Sequence, residues 1–226
     1  MEKRFVITDI HGCFQTFRHL LEVILQPANN DHVYLLGDYI NKGPQSKETI
    51  DYLITLNQNK NFHMLRGNHE QVLLDVIDHK TSVFEFYEKG GMPTMQSFGI
   101  QCPAELPERY ILFFRNLPFY FELPDFWLVH AGLNMHISAP LSDTYAMLNI
   151  RNMFFNADFL QNKRVIHGHI PLRLNTIMKN VNNDNWNIYL DSGCVYPNRA
   201  GMGFLSALEL NTLRFTCKEC IDQVNI

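Results

Sequence analysis

The sequence lacks any long uninterrupted apolar run. Its most apolar stretch, Tyr110 to Val129, is broken by charged residues and prolines, namely Arg115, Pro118, Glu122, Pro124 and Asp125. A membrane-spanning helix needs about 20 predominantly apolar residues in succession, so this stretch does not meet the requirement. The sequence therefore predicts no membrane partner.

An excess of charge of one sign is also lacking. The chain carries 19 lysine and arginine residues against 23 aspartate and glutamate residues, a net charge of −4. This balance creates no overall field that attracts nucleic acid or an anionic surface. We therefore expect no nucleic-acid partner, and an anionic ligand would need a local positive site.

The cysteine pattern fits neither a disulfide framework nor a common zinc site. The five cysteines are an odd number, and no export signal precedes the strand-like segment Arg4 to Thr8, so a reducing cytoplasm is the expected location. Cys217 and Cys220 form a C-x-x-C pair, but a structural zinc site needs a second pair at a suitable spacing. We interpret the pair as two thiols near the end of a strand.

What the sequence does contain is typical of a single α/β domain. Its 226 residues, 46% of them hydrophobic, provide enough apolar mass for one core, so residues 1–226 are predicted to form one domain. In the opening third, apolar runs alternate with helical spacing, and these runs are Phe5 to Ile7, Val33 to Leu36 and Met64 to Leu65. Strands joined by helices predict parallel βαβ units.

The pattern changes at about residue 70. Up to about residue 125, helix-like segments at Val72 to Ile77 and Val83 to Tyr87 and a series of prolines predict a helical insertion beside the sheet. The polar segment Asn180 to Asn187 is typical of a loop. Strand patterns return at Phe126 to Val129, Arg164 to Ile166, Trp186 to Leu190, Gly203 to Leu210 and Leu213 to Cys217.

Five predicted strands are followed by polar residues that would be costly to bury without partners. The carboxyl ends of parallel strands face one crevice, so these side chains are expected to converge. A lone aspartate or histidine there is more often a helix cap or a structural residue, but five coincidences are improbable. The segments are Asp9-Ile10-His11-Gly12, Gly37-Asp38, Gly67-Asn68-His69-Glu70, His130-Ala131-Gly132 and His167-Gly168-His169.

The side chains in these segments are carboxylates, imidazoles and an amide, without a thiolate. Such donors suit Mn²⁺, Fe or Zn²⁺. In chain order Asp38 lies between Asp9 and His11 on one side and the later candidate residues on the other, so its carboxylate could bridge two ions. This predicts a dinuclear site. Two ions about 3.5–4 Å apart would lower the pKa of a shared water and clamp the oxygens of an in-line displacement.

In this order the segments resemble the calcineurin-like metallophosphoesterases, and within them most closely the bacterial and phage serine/threonine protein phosphatases. The intervals between Asp9, Asp38 and Asn68 are each about one βαβ unit long. The resemblance runs from Phe5 to near Leu210. It implies an α/β fold of four layers, αββα, in which two sheets lie between outer helices.

The resemblance also implies two divalent metal ions as cofactors, with Mn²⁺ expected and Fe or Zn²⁺ as alternatives. The ligands of the first ion would be Asp9, His11 and Asp38, and those of the second would be Asp38, Asn68, His130 and His169.

Further residues have implied roles in catalysis. A hydroxide bridging the metals would attack phosphorus, while His69 would protonate the departing oxygen as general acid. Arg151 would grip the phosphoryl oxygens, with Asn68 also contacting the phosphate; a surface ion pair is the alternative for Arg151. The late segment Asp191 to Tyr196 resembles a loop beside the family's site.

Two positions depart from the family pattern, where Asn41-Lys42-Gly43 replaces Asp-Arg-Gly. In the family the aspartate orients and charges the general acid, and the arginine binds phosphate. Asn41 could accept a hydrogen bond from His69 but supplies no negative charge. Lys42 keeps a positive charge but loses the bidentate fork of arginine.

Three functional hypotheses follow. The leading one is a serine/threonine protein phosphatase, a phosphomonoester hydrolase acting on a phosphoprotein or a small phosphoester. The substitution at Asn41 makes a symmetrical dinucleoside tetraphosphate hydrolase a serious alternative, since that branch also replaces the aspartate. The third is a low-activity relative that binds phosphate without turnover, although the complete ligand set argues against it.

Overall fold

The structure, a computed structural model, describes residues 2–183 and 185–224. Its strands form two sheets, one with five strands in the order β3-β2-β1-β8-β9 and one with four in the order β4-β5-β6-β7. Within the described ranges, no helix combines the length and apolarity needed to cross a membrane.

The first sheet contains the βαβ units predicted from the opening third of the chain. Strands β1 to β3 are parallel, and β8 and β9 join the sheet antiparallel to their neighbours. Their bounds are Arg4–Ile7 (β1), His32–Leu35 (β2), Phe62–Met64 (β3), Phe204–Glu209 (β8) and Arg214–Glu219 (β9).

The second sheet is built from the later strands. Strands β5, β6 and β7 are parallel, and β4 pairs antiparallel with β5 at the edge. Their bounds are Tyr120–Glu122 (β4), Phe126–Val129 (β5), Arg164–His167 (β6) and Asn187–Tyr189 (β7).

Alternate side chains along the strands point to opposite faces, and those on the inner faces form a core between the two sheets. Val6 of β1 packs with Leu128 of β5 and Ile166 of β6 in the core between the sheets. Its neighbours Phe5 and Ile7 face the opposite side, where helices cover the first sheet. Trp127 and Val129 of β5 pack with Val165 of β6 on the outer face of the second sheet. The four-layer αββα fold implied by the resemblance is therefore confirmed.

Helices follow most strands. The first, α1, continues directly into a π-helical segment, Leu20–Leu25. The α-helices are Phe14–His19 (α1), Ser46–Leu56 (α2), Asn68–Ile77 (α3), Val83–Glu88 (α4), Met92–Phe98 (α5), Glu108–Asn116 (α6), Thr144–Asn149 (α7), Ala157–Leu160 (α8) and Leu174–Asn182 (α9).

Two sequence-based predictions need correction. Asn180 does not lie in a loop, because α9 extends through it and its side chain bonds to Asn187 and Tyr189 of β7. Between residues 70 and 125 the chain also contains α5, α6 and the strand β4, which the proline-rich sequence did not predict.

Candidate metal centre

The polar segments predicted at the strand ends meet at one place, and both sheets contribute. The first sheet places Asp9, His11 and Asp38 just beyond β1 and β2, and Asn68 with His69 begins α3 after β3. The second sheet places His130 beyond β5 and His169 beyond β6. Nearly all of these side chains are buried, and His169 is intermediate.

One cluster contains His11, Asp38 and His69, whose ligand atoms lie within 4.8 Å of one another. His11 Nδ1 lies 2.9 Å from the carbonyl oxygen of Ile40 and donates to it. That bond leaves Nε2 unprotonated and directed at the Asp38 carboxylate, 3.6 Å away. The imidazole is therefore oriented as a metal ligand.

A second cluster contains Asp38, His130 and His169, again with ligand atoms within 4.8 Å. His130 Nδ1 donates to the carbonyl oxygen of Leu36 at 2.9 Å, so its Nε2 is also free to coordinate. Asp38 belongs to both clusters. This geometry supports the bridging role predicted for Asp38.

The surroundings of Asn68 fit a cation. Its Oδ1 lies 3.0 Å from His130 Nε2 and 3.2 Å from His169 Nδ1, and the Asp38 oxygens are 3.2 and 3.3 Å away. Turning the amide would let its nitrogen donate to these atoms, but a cation among them would satisfy every lone pair at once. The donors are oxygen and imidazole nitrogen, which suits Mn²⁺, Fe or Zn²⁺.

Asp9 lies in the same pocket but belongs to neither cluster. Its carboxylate accepts from the backbone N–H of His169 at 2.8 Å and from the Thr8 hydroxyl at 3.0 Å. Burial, followed by the nearby charges of Asp191 and Asp38, raises its pKa well above the ordinary value. Metal coordination by Asp9 stays a prediction, and the bond to His169 shows that it also positions another candidate ligand.

The electrostatics of the centre favour a bound cation. Burial raises the pKa of Asp38 to about 6 and that of Asp191 to about 6. Burial also lowers the pKa of His130 to about 4, which keeps this imidazole neutral and able to coordinate. Carboxylates that are hard to ionise together gain most from a positive ion placed between them.

Glu70 is a positioning residue for which sequence reasoning gave no role. Its buried carboxylate accepts from the backbone N–H groups of Asp38 at 2.9 Å, Tyr39 at 2.8 Å and Gly67 at 2.9 Å. Glu70 thus ties the loop after β2 to the start of α3. The sequence signal for a role of Glu70 in the site was its position directly after His69.

Several candidate site residues adopt left-handed backbone conformations that non-glycine residues rarely take. The φ angles are 49° at His11, 54° at Asp38, 71° at Asn41, 67° at Lys42 and 66° at His169. Such conformations persist only where surrounding contacts enforce them, and they concentrate at functional sites.

The contact between Asn41 and His69 has the opposite polarity to the one predicted. The Asn41 amide oxygen accepts from the Thr94 hydroxyl at 2.8 Å, so its amide nitrogen faces His69 Nδ1 at 2.9 Å. Asn41 therefore donates to His69 and does not accept from it. Thr94 lies on α5, and no sequence pattern linked it to this contact.

Two cations lie beside the clusters. Lys42 Nζ is 3.0 Å from His11 Nε2 and lies over the Tyr196 ring at 5.6 Å. Arg151 is exposed. The pKa of His169 is lowered mainly by burial, and the positive charge of Arg151 lowers it further. Among the described residues Arg151 has no ion pair, so the surface ion pair considered as an alternative is not observed there.

The sequence did not reveal a groove that Asn68 helps to line. The groove encloses about 450 Å³ and is lined by cationic, aromatic and acidic side chains. The Arg66 guanidinium stacks on the Phe119 ring at 4.7 Å, and Tyr145 is 76% exposed. We call this feature the Tyr145 groove, lined by Arg66, Asn68, Lys89, Phe119 and Tyr145 among others.

Comparison with known sequences identifies relatives. A model of the calcineurin-like phosphoesterases matches residues 3–198. A symmetrical bis(5'-nucleosyl)-tetraphosphatase from Psychromonas ingrahamii is 23% identical over 175 residues, 76% of this chain and 58% of that protein. One from Aeromonas salmonicida is 30% identical over 132 residues, 57% of this chain and 44% of that protein. The chain thus spans about half the length of these curated relatives.

Solved structures share the fold at lower identity. A candidate diadenosine tetraphosphatase superposes with a TM-score of 0.67 at 20% identity, covering 96% of this chain and 92% of that one. A serine/threonine phosphatase from Saccharomyces cerevisiae superposes with a TM-score of 0.59 at 16% identity, covering 100% and 82% of the two chains. Both comparisons bear on architecture alone.

Proposed function

The chain belongs to the calcineurin-like phosphoesterases, and we propose that it hydrolyses a dinucleoside tetraphosphate at the central phosphoanhydride, releasing two nucleoside diphosphates. Water would add to one of the two central phosphorus atoms, and the bond to the bridging oxygen would break. The curated relatives from Psychromonas ingrahamii and Aeromonas salmonicida carry the name of this activity. Their names support this hypothesis over the protein phosphatase that the sequence analysis ranked first.

The Tyr145 groove is the observation that carries the proposal. Asn68, a candidate metal ligand, is one of its lining residues, and its volume of about 450 Å³ is in the range of small-ligand pockets. The exposed Tyr145 ring and the stacked pair of Arg66 and Phe119 offer flat surfaces for a base. Lys89 adds positive charge for the polyphosphate.

The hydrogen bonding of His69 fits a leaving group that needs little protonation. Because Asn41 donates to Nδ1, the imidazole carries its proton on Nε2, which lies 3.8 Å from Asp38 Oδ2. A departing terminal phosphate has a second pKa near about 6, so it leaves readily near neutral pH. A serine alkoxide is far more basic and depends on a strong general acid.

The remaining roles follow from charge and position. Divalent metal ions held by Asp9, His11, Asp38, Asn68, His130 and His169 would supply Lewis-acid activation of water and would neutralise phosphoryl charge. Arg151 and Lys42 would bind phosphoryl oxygens, with Asn68 also contacting the phosphate. His69 would hold its Nε2 proton toward the bridging oxygen as it departs.

A serine/threonine protein phosphatase is the second candidate. Phe154 and Phe155 follow the exposed Arg151 and are 58% and 61% exposed. These rings could contact residues that flank a phosphoserine in a peptide. The two exposed rings would add a surface for a peptide substrate to a complete set of candidate metal ligands. This favours a protein phosphatase over a protein that binds phosphate without turnover.

Product analysis separates the candidates. The Mn²⁺-loaded protein should be incubated with a dinucleoside tetraphosphate, a phosphoserine peptide and an aryl phosphate, with Asp38→Asn as a matched control. We expect nucleoside diphosphate as the only nucleotide product, and kcat/KM at least about 10-fold above that for the peptide. Release of a monophosphate with a triphosphate would exclude symmetrical cleavage. A preference for the peptide would establish the second candidate instead.

A further inference from the structure

Three cysteines from distant parts of the chain converge at one place, and one of them lies two residues after His11 in the sequence. Cys13 precedes α1, Cys194 lies in the loop after β7 and Cys220 directly follows β9. Their sulfur atoms all lie within 4.8 Å of one another. Cys217, the other member of the C-x-x-C pair, lies within β9 and is not part of this cluster.

The separation of two of the sulfurs matches that expected for a shared metal ion. Zinc binds thiolate sulfur at about 2.3 Å, so two sulfurs on one tetrahedral ion lie roughly 3.8 Å apart. Cys13 Sγ and Cys220 Sγ are 3.9 Å apart. A disulfide between them would need this distance to shorten to about 2.05 Å and would leave the third thiol without a role.

The chain segment that carries Cys220 is fixed onto the start of α1. Asp222 accepts from the backbone N–H groups of Gln15 at 3.0 Å and Thr16 at 2.9 Å, and from the Thr16 hydroxyl at 2.5 Å. The Ile221 N–H donates to Thr16 Oγ1 at 2.9 Å. These bonds set the position of Cys220 over Cys13 before any ion binds, which lowers the entropic cost of binding.

Burial of the cluster would protect a bound ion. Cys13 and Cys194 are 0% and 1% exposed, whereas Cys220 is only partly buried and gives access from solvent. Free cysteines often pack as small apolar residues, which explains one buried thiol. Packing alone does not require three sulfurs from three segments to face the same point.

We propose that Cys13, Cys194 and Cys220 bind one thiophilic metal ion, of the class of Zn²⁺ or Cu⁺, separately from the dinuclear centre. Thiolate ligands select such ions, whereas the oxygen and imidazole donors of the dinuclear centre suit harder ones. Binding would release the thiol protons to solvent and needs no oxidant. The ion would join the C-terminal segment to the two loops that carry Cys13 and Cys194.

The test uses Cd²⁺, because its bonds to thiolates give an ultraviolet charge-transfer absorption. The reduced protein is first saturated with Mn²⁺ to fill the dinuclear centre, which has no thiolate, and Cd²⁺ is then titrated. We expect the absorption to saturate at one Cd²⁺ per chain. Cys220→Ser should abolish it, and Cys217→Ser, which changes a partly buried cysteine of β9, should leave it unchanged.

Zinc content provides a second measurement. After dialysis against Zn²⁺, the wild type should retain one more Zn²⁺ per chain than Cys220→Ser, with thermal unfolding confirming that both are folded. The proposal is overturned by a wild-type protein without the absorption, by an absorption that survives in Cys220→Ser, or by its equal loss in Cys217→Ser.

Discussion

Two sides of the candidate site are built in different ways. The metal-facing side, His11, Asp38, Asn68, His130 and His169, is largely buried and is held by backbone hydrogen bonds from neighbouring loops. The side proposed to face the substrate, Lys42, Arg151 and Tyr145, is partly or fully exposed. The positions of the candidate metal ligands are thus set by the fold, whereas the residues proposed to select the substrate lie at the surface and can change without disturbing the fold.

The largest effect is expected for a change on the metal-facing side. Asp38 is the only candidate ligand shared by both clusters, so Asp38→Asn removes the charge that faces two ions. We predict a loss of activity on the order of 10³-fold and a larger loss of bound metal than for Asn68→Ala. Elemental analysis and steady-state rates check this. Equal metal loss in the two variants would exclude the bridging role.

A change at Arg151 should separate binding of substrate from binding of metal. Arg151→Ala would remove the proposed charge-assisted contact to the phosphoryl group, so kcat/KM should fall about 10²-fold, equivalent to roughly 2–3 kcal/mol. Metal content should stay constant because Arg151 lies outside both clusters. Unchanged activity would assign the phosphate contact to Lys42.

A change at Tyr145 should affect one substrate class and spare another. Base stacking is worth about 1–3 kcal/mol, so Tyr145→Ala should raise KM for the dinucleoside tetraphosphate about 10-fold. The aryl phosphate is too small to reach the groove and should react at an unchanged rate. Phe84→Ala, which changes an exposed aromatic outside the groove lining, is the matched control. Equal effects on both substrates would contradict the proposal that a base stacks on Tyr145.

The smallest effect on the proposed substrate is expected at Asn41. Burial, followed by the charges of His11 and Lys42, lowers the pKa of His69 well below its ordinary value. A general acid works only while protonated, so activity that depends on His69 should fall early as pH rises.

A carboxylate beside His69 would raise its pKa, so Asn41→Asp should move the high-pH limb of kcat upward. The gain should appear with an alkyl phosphate, whose leaving oxygen needs a proton, and should be minor with the dinucleoside tetraphosphate. Metal content should not change. A limb that stays in place for the alkyl phosphate would show that His69 is not the acid.

The sequence was sufficient for features that depend on repeated local patterns. The strand Phe126–Val129 was predicted with the bounds observed, because a short apolar run followed by polar residues is typical of a buried strand. Asp38 and His130 could be placed together because strand ends in such sheets converge. Helix α5 was missed because Pro93 suggests a break, although proline is tolerated in the first turn of a helix.

Features that depend on contacts between distant residues could not be predicted. The orientation of Asn41 depends on Thr94, which lies 53 residues further along the chain. Tyr145 is a single exposed aromatic, and such residues carry no local signal until the groove around them is known. The cluster of Cys13, Cys194 and Cys220 has the same character, because only the fold brings its members together.

We propose that the residues at the strand ends hold two metal ions and that these ions make hydrolysis possible. The most direct test of this proposal is the amount of manganese bound per chain, measured by elemental analysis alongside activity during chelation and reloading. Manganese is the suitable probe because a thiolate cluster prefers softer ions. We predict about two manganese ions per chain, loss of activity with the chelator and recovery with Mn²⁺. Fewer than about one ion per chain, with no activity under any divalent metal, would contradict the account.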